Sequence, residues 1–180
     1  NAKGKDFIPE ADLALSSYLN PDLPIWDLDR FDALVYLKKE ISPIIEDYAQ
    51  RAAFPVQIVK QLGALGCFGP TIPTEYGGGG LDYISYGLMM QELERGDSGV
   101  RSVASVQGSL VMYPIFAFGD EAQKKKYLPK LATGEWLGCF GLTEPDHGSD
   151  PLSMITNIKE EGDHVILNGA KMWISNSPLA

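Results

Sequence analysis

Two short runs carry the residue types that could do chemistry. The first is Phe140-Gly141-Leu142-Thr143-Glu144-Pro145-Asp146-His147-Gly148-Ser149-Asp150, and the second is Gly169-Ala170-Lys171-Met172-Trp173-Ile174-Ser175-Asn176, about two dozen residues later. Each is a strand-like stretch whose end presents a hydroxyl, a backbone turn or a large aromatic ring. A planar, polar-edged, phosphate-bearing cofactor needs that assortment of groups: donors for its polar edge, a ring to cover its face, and a turn that lets backbone come close. A third feature is the pair Glu94 and Arg101, seven residues or two helical turns apart. Arg101-Ser102 opens a run without charge from Ser102 to Gly119, so the guanidinium needs a partner, because a lone charge is costly to bury. The internal candidates are Glu94, Asp97 and a part of the protein beyond these residues, and the external one is a carboxylate at the far end of a substrate. Guanidinium geometry suits bidentate binding of that group.

The elements that must position these residues fall into two textures. Helical signals come first. A short helix is expected near Ala11–Leu19, then a longer one from Leu28 to about Ala53, with Phe31, Leu34, Val35, Leu37, Ile41, Ile44, Ile45 and Tyr48 at helical spacing. Pro43 should kink this helix rather than end it. A shorter helix, Val56–Leu65, stops at Gly66. Phe68 to Gly80 reads as a loop, and Gly77-Gly78-Gly79-Gly80 as a flexible turn, since it lacks the spacing and the following Lys-Ser/Thr of a P-loop. Asp82 is an N-cap for a helix reaching Arg95, and Gly96-Asp97-Ser98-Gly99 breaks or bends the chain before the apolar helix from Val100. Asp120 with Gln123 reads as a capping box. After Gly134 strand signals take over at Trp136–Leu142, Ser153–Ile158, His164–Leu167 and Lys171–Ser175, with a hairpin turn at Glu160-Glu161-Gly162-Asp163. Helices first and strands second indicate two units, 1–134 and 135–180.

The 180 residues are 44% hydrophobic and 22% charged, the balance of a globular protein rather than a disordered one. A net charge of −9 disfavours nucleic acid and anionic membranes as partners. The uncharged run 102–119 is interrupted by Gln107, Gly108, Ser109 and Pro114 and reads as a buried helix, not a membrane span. Cys67 and Cys139 have no metal or redox spacing and read as reduced, buried thiols, which favours an intracellular compartment. The first residues, Asn1 to Phe7, show no signal-peptide pattern.

The two runs, in this order and at this distance, resemble the flavin-binding segments of the acyl-CoA dehydrogenase family. Val100-Arg101-Ser102 and Ser105-Val106-Gln107 look most like the glutaryl-CoA dehydrogenase branch. The resemblance covers the chain from about residue 20 onward. It implies an α+β architecture: an N-terminal all-α domain, then the start of a β-barrel-like middle domain, with the C-terminal helical bundle absent. It implies FAD as cofactor. Phe140, Gly141, Leu142, Thr143, Glu144, Pro145, Asp146, His147, Gly148 and Ser149 would form one side of the flavin site, and Trp173, Ile174 and Ser175 the other. Thr143 is the first choice for a hydroxyl contact to the ring.

Arg101, Ser102 and Glu94 would hold the distal carboxylate of glutaryl-CoA, and Ser149 would touch the acyl-CoA. Asp146-His147 departs from the small residues many members carry at that turn. The family's reaction removes the α-proton with a carboxylate base and the β-hydrogen as hydride, with flavin as acceptor. Decarboxylation then gives crotonyl-CoA and CO2. The resemblance puts the base, a glutamate, in the C-terminal helical domain, well beyond Ala180. No catalytic residue is therefore expected here, and residues 1–180 alone should turn over no acyl-CoA. The resemblance further implies electron-transfer flavoprotein as partner and a homotetramer. The compartment would be cytoplasmic in a bacterium and the mitochondrial matrix in a eukaryote. A sibling acting on another short or branched acyl-CoA, with Arg101 an internal ion pair, and a non-catalytic binding module remain as alternatives.

Overall fold

The computed structural model describes residues 36–180. The helix expected at 11–19 and the first turns of the one expected from Leu28 lie outside the described residues. The described part of that second helix begins as a π-helical turn, Leu37–Ile41, closed by the Ser42 N–H on the Leu37 carbonyl at 2.8 Å. Pro43 has no N–H to give the ladder, yet Ser42 and Ile44 keep right-handed helical dihedrals, and α1 follows at Ile45–Gln50. The single kinked helix expected from sequence is instead two helical pieces, with residues 42–44 a turn between them. The end comes a little before Ala53, where Ala52 enters the left-handed region at φ 51°.

Helix α2 (Ile58–Ala64) stops before Gly66, whose φ of 75° only glycine adopts freely. The loop 68–80 then folds back on itself around a single turn of 3₁₀ helix at Thr74–Tyr76. Gly79 N donates to Gly69 O at 2.9 Å and Gly80 N to Ile72 O at 2.9 Å. A Cβ on Gly78 would stand 2.1 Å from the Ile72 carbonyl oxygen, so the glycine run is a close-packed crossing of backbone rather than the flexible turn expected from sequence.

Helix α3 (Tyr83–Gly96) is capped by Asp82, which accepts from Ser85 N at 2.8 Å. At Asp97 the backbone swings to an extended conformation, and the Asp97 carboxylate accepts from Val100 N at 2.9 Å, starting α4 (Ser98–Ser105). The path continues without a break through a π-helical stretch, Val106–Met112, into α5 (Tyr113–Phe118). Helix α6 (Glu121–Ala132) starts with the full capping box between Asp120 and Gln123. The core between these helices holds Leu37, Ile41, Leu62, Phe68, Ile72, Leu93, Val100, Met112 and Leu128, all at most 2% exposed. The uncharged run sits in this layer, with Val103, Ala104, Gln107 and Met112 buried. Among the described residues no helix is long and apolar enough to cross a membrane.

The β unit is smaller than the sequence suggests. Strands β1 (Asn157–Glu161) and β2 (His164–Asn168) pair antiparallel, with Glu161 opposite His164 across the Gly162-Asp163 turn. Gly162 takes φ 67° there. Trp136–Leu142 and Lys171–Ser175 are not strands: no ladder of backbone hydrogen bonds runs along them among the described residues. One backbone bond, Met172 N to Thr143 O at 2.9 Å, joins the two runs. The hairpin leaves Ile158, Val165 and Leu167 more than half exposed.

Candidate functional site

The two chemistry-bearing runs meet. Phe140, Leu142 and Thr143 from the first and Trp173, Ile174 and Ser175 from the second line one open cleft of about 280 Å³, and Val106 and Leu110 form its helical side. The π-helical stretch gives the helical wall its shape. A widened turn displaces side chains from regular α-helical spacing, and such turns gather at functional sites. Gly108 in the same stretch lets the helix approach the loop, since a Cβ there would lie 2.7 Å from the Phe68 carbonyl oxygen.

Trp173 is the strained member. Its φ is 60°, in the left-handed region, and its ring is 85% exposed at the mouth of the cleft. A bulky residue held there costs about 1–3 kcal/mol, a cost that clusters at ligand sites. Asn176, also left-handed at φ 69°, ends the second run and donates through Nδ2 to Gly138 O at 3.2 Å. The chain then curls back on Asn176, whose carbonyl accepts from Leu179 N at 2.8 Å and from Ala180 N at 3.0 Å. Gly138 in turn donates to Gln107 Oε1 at 2.8 Å, and Gln107 Nε2 donates to Leu131 O and Trp136 O, both at 2.9 Å. Gln107 is wholly buried. The route from helix to Gln107 to Gly138 to Asn176 thus fixes both runs against the same helical wall.

Below the first run lies a second polar knot. The Glu144 side chain is about 1% exposed and accepts from Ile155 N at 2.8 Å, Thr156 N at 2.9 Å and Lys171 Nζ at 2.9 Å. The Thr156 side chain and the Ile155 N–H lower its pKa most, with Lys171 and the Thr156 N–H adding to them against the opposing effect of burial, to about 2 from an ordinary 4.5. The Thr156 hydroxyl is buried and makes no hydrogen bond of normal geometry, and the bonds that hold the carboxylate are those from Ile155 N, Thr156 N and Lys171 Nζ.

Because the folded-state pKa lies below the unfolded one, this group stabilises the fold fully above about pH 4.5, and that contribution disappears as pH falls toward 2. The unfolding temperature of the full-length protein, followed from pH 5 to 2.5, is expected to fall more steeply than that of Glu144→Gln. Parallel curves would remove Glu144 from the acid response.

Other residues named from sequence lie elsewhere. Pro145, Asp146 and His147 form the turn closed by reciprocal Glu144 and His147 backbone bonds at 3.2 Å, and Gly148 and Ser149 follow in exposed chain. None of these lines the cleft. Gly141 packs on the Lys171 stem. Glu94 and Arg101 meet across the Asp97 break: Arg101 Nε donates to Glu94 Oε2 at 2.6 Å, and Ser98 Oγ to Glu94 Oε1 at 2.5 Å. Arg101 also reaches Ser105 Oγ at 3.3 Å. Hydrogen bonds from Arg101 and Ser98 lower the Glu94 pKa. Arg101 and Ser102 are half-buried on α4, about one turn before Val106, and do not line the cleft themselves. The base expected beyond Ala180 lies outside the described residues.

Gln107, Lys171 and Asn176 were not among the site residues named from sequence. Their signal was present: a single amide inside an uncharged helix, and polar residues bracketing a Trp. Among the described residues no cluster of His, Cys, Asp and Glu could hold a metal ion.

A helical layer that delivers two loop runs and a π-helical wall to one cleft belongs to a known class. Residues 32–135 match the acyl-CoA dehydrogenase N-terminal domain and residues 139–180 the acyl-CoA dehydrogenase middle domain. The chain belongs to the acyl-CoA dehydrogenase family.

Glutaryl-CoA dehydrogenase of Desulfococcus multivorans is 41% identical over 148 residues, 81% of this chain and 38% of that protein. The mitochondrial short-chain specific acyl-CoA dehydrogenase of Rattus norvegicus is 39% identical over 142 residues, 79% of this chain and 34% of that enzyme. The crystal structure of a glutaryl-CoA dehydrogenase from Mycobacterium smegmatis in complex with FADH2 superposes with a TM-score of 0.80 at 44% identity, covering 87% of this chain and 41% of that one. The chain therefore spans well under half the length of these relatives.

Proposed function

We propose that the intact protein is a FAD-dependent acyl-CoA dehydrogenase that oxidises and decarboxylates glutaryl-CoA to crotonyl-CoA and CO2. In this reading it passes its electrons to an electron-transfer flavoprotein and works as a homotetramer. The observation that carries the reading is the single cleft shared by Phe140, Leu142, Thr143, Trp173, Ile174 and Ser175. These residues fit a flavin ring. The N–H groups of Leu142 and Thr143 make no hydrogen bond among the described residues, which leaves donors at the cleft edge beside the Thr143 hydroxyl. Trp173 and Ile174 supply apolar area for a ring face.

A bound flavin supplies the acceptor for the substrate's β-hydrogen. The chain's own contribution is binding and orientation. Thr143 and Leu142 donate to the polar edge, where fixed donors favour the charge that develops there. Val106 and Leu110 exclude water from the helical side. Arg101, with Ser102 beside it, holds the distal carboxylate, and Glu94 keeps the guanidinium turned. Neither Glu94 nor Glu144 is assigned the α-proton: Glu94 is bonded to Arg101 and Ser98, and Glu144 to Lys171 and two amides. In this reading that proton goes to a carboxylate of the intact protein beyond Ala180.

A second reading, oxidation of a short-chain acyl-CoA such as butyryl-CoA, is favoured by one observation. Arg101 Nε already has an internal partner in Glu94 at 2.6 Å, so the ion pair is complete without a substrate carboxylate. The full-length protein is expected to be yellow, with a flavin absorbance that glutaryl-CoA bleaches faster than butyryl-CoA. Preferential bleaching by butyryl-CoA would replace the first reading with the second, and a colourless protein would remove both.

A further inference from the structure

We propose that Lys171 is a positioning residue that aims the Thr143 N–H into the cleft. Its ammonium group donates to Leu142 O at 2.9 Å and to Glu144 Oε1 at 2.9 Å, and lies 3.7 Å from the Met154 sulfur. The Lys171 stem runs over Gly141, where a Cβ would stand 3.2 Å from Lys171 Cγ, so the glycine leaves the stem its path. The Lys171 side chain is only 23% exposed and is absent from the cleft lining, whereas Leu142 and Thr143 belong to it. The cation therefore grips the peptide from behind.

Geometry does the rest. The described residues contain no cis peptide, and in a planar trans peptide the carbonyl and the following N–H point in opposite directions. Fixing the Leu142 carbonyl on Lys171 turns the Thr143 N–H away from Lys171, toward the open side. The next peptide is fixed as well, because Thr143 O accepts from Met172 N at 2.9 Å. Thr143 is held on both flanks while its own N–H has no partner among the described residues. A cation on the carbonyl also polarises the peptide and makes that N–H a stronger donor. Glu144 anchors the ammonium, with its own position set by the Ile155 and Thr156 amides. Two oppositely charged side chains thus fix the direction of one neutral donor.

The inference rests on the reading of the cleft as a flavin site, and the test separates the two. In the full-length protein, FAD dissociation constant, flavin midpoint potential and unfolding temperature are measured for wild type, Lys171→Met and Lys171→Arg. Lys171→Met strands the Glu144 carboxylate, so the double variant K171M/E144Q provides a folded comparison without an unpaired charge. Losing one well-aimed donor is expected to weaken FAD binding roughly tenfold in both Met variants, with the potential moving negative, because reduced flavin depends more on donors. Lys171→Arg, which keeps cation and donors, recovers most of the affinity. A lowered unfolding temperature with FAD affinity and potential unchanged would overturn the proposal and make the ion pair structural only. A wild-type protein that binds no FAD would sink the flavin reading and this inference with it.

Discussion

Gln107→Leu is expected to lower stability by about 3 kcal/mol or more, a large share of what a domain this size has to lose. The substitution keeps nearly the same volume, so cavity formation is not the reason. The Gln107 amide is fully buried and satisfies three backbone groups at once: Leu131 O, Trp136 O and Gly138 N. A buried polar group deprived of its partner costs about 1–3 kcal/mol. Leucine leaves Trp136 O and Gly138 N without a partner among the described residues, while Leu131 O keeps the bond from Gly134 N at 3.2 Å. Gln107→Glu is expected to be no better, because a carboxylate would face two carbonyl oxygens that need a donor.

Denaturant unfolding of the full-length protein provides the check: the midpoint should fall with the slope unchanged. A midpoint equal to wild type would mean that the segment from Trp136 to Gly138 is docked by its other contacts. Those include Trp136 N on Lys130 O at 3.1 Å, Trp136 against the Tyr127 ring at 5.9 Å, Lys130 over the Trp136 ring at 4.3 Å and Asn176 Nδ2 on Gly138 O at 3.2 Å. The effect would also reach the cleft, because Gly138 carries the bond to Asn176 and so links the helical wall to the second run.

Features coded within a few residues were readable from sequence. Asp82 and Asp120 with Gln123 declare helix starts because capping is a contact between residues three apart. The Gly162 turn is legible for the same reason. The Glu94 and Arg101 pair was within reach, since a two-turn spacing survives the single extended residue at Asp97. The cleft was legible only as a pairing of two runs, because their residue types make sense together.

What the sequence hid is long in range. Trp136–Leu142 has the composition of a strand, but a strand exists only where another backbone pairs with it, and no such ladder forms there among the described residues. Lys171–Ser175 looks extended until Trp173 and Asn176 turn left-handed, a local cost that tertiary contacts impose. Gln107 reaches 24 and 31 residues ahead, and Lys171 reaches 27 and 29 residues back. No periodicity marks such partners. The π-helical stretch at Val106–Met112 is equally silent, since its residues fit a regular α-helix as well.

On the glutaryl-CoA reading, Arg101→Ala is expected to reduce kcat/KM for glutaryl-CoA roughly 10- to 100-fold, while butyryl-CoA changes by little more than twofold. The guanidinium has five N–H donors, of which the described structure uses two, on Glu94 and on Ser105. The remaining three leave a face that can take a carboxylate in the two-pronged manner. Glu94 does not oppose this. It holds Nε from one side with a pKa kept low by Arg101 and Ser98, and so fixes the plane of the group.

Removing Arg101 takes away both the substrate partner and the cation beside Glu94. The exposed carboxylate, 46% accessible, then repels a second carboxylate at the same place. That repulsion is absent for a substrate ending in a methyl group, and the two substrates should therefore separate. Rates for both on wild type, Arg101→Ala and Arg101→Lys form the test. Lysine keeps the charge but lacks the planar fork, and should recover only part of the loss. Equal losses on both substrates would mean that the pair with Glu94 supports the bend between α3 and α4 and takes no part in selecting the acyl chain.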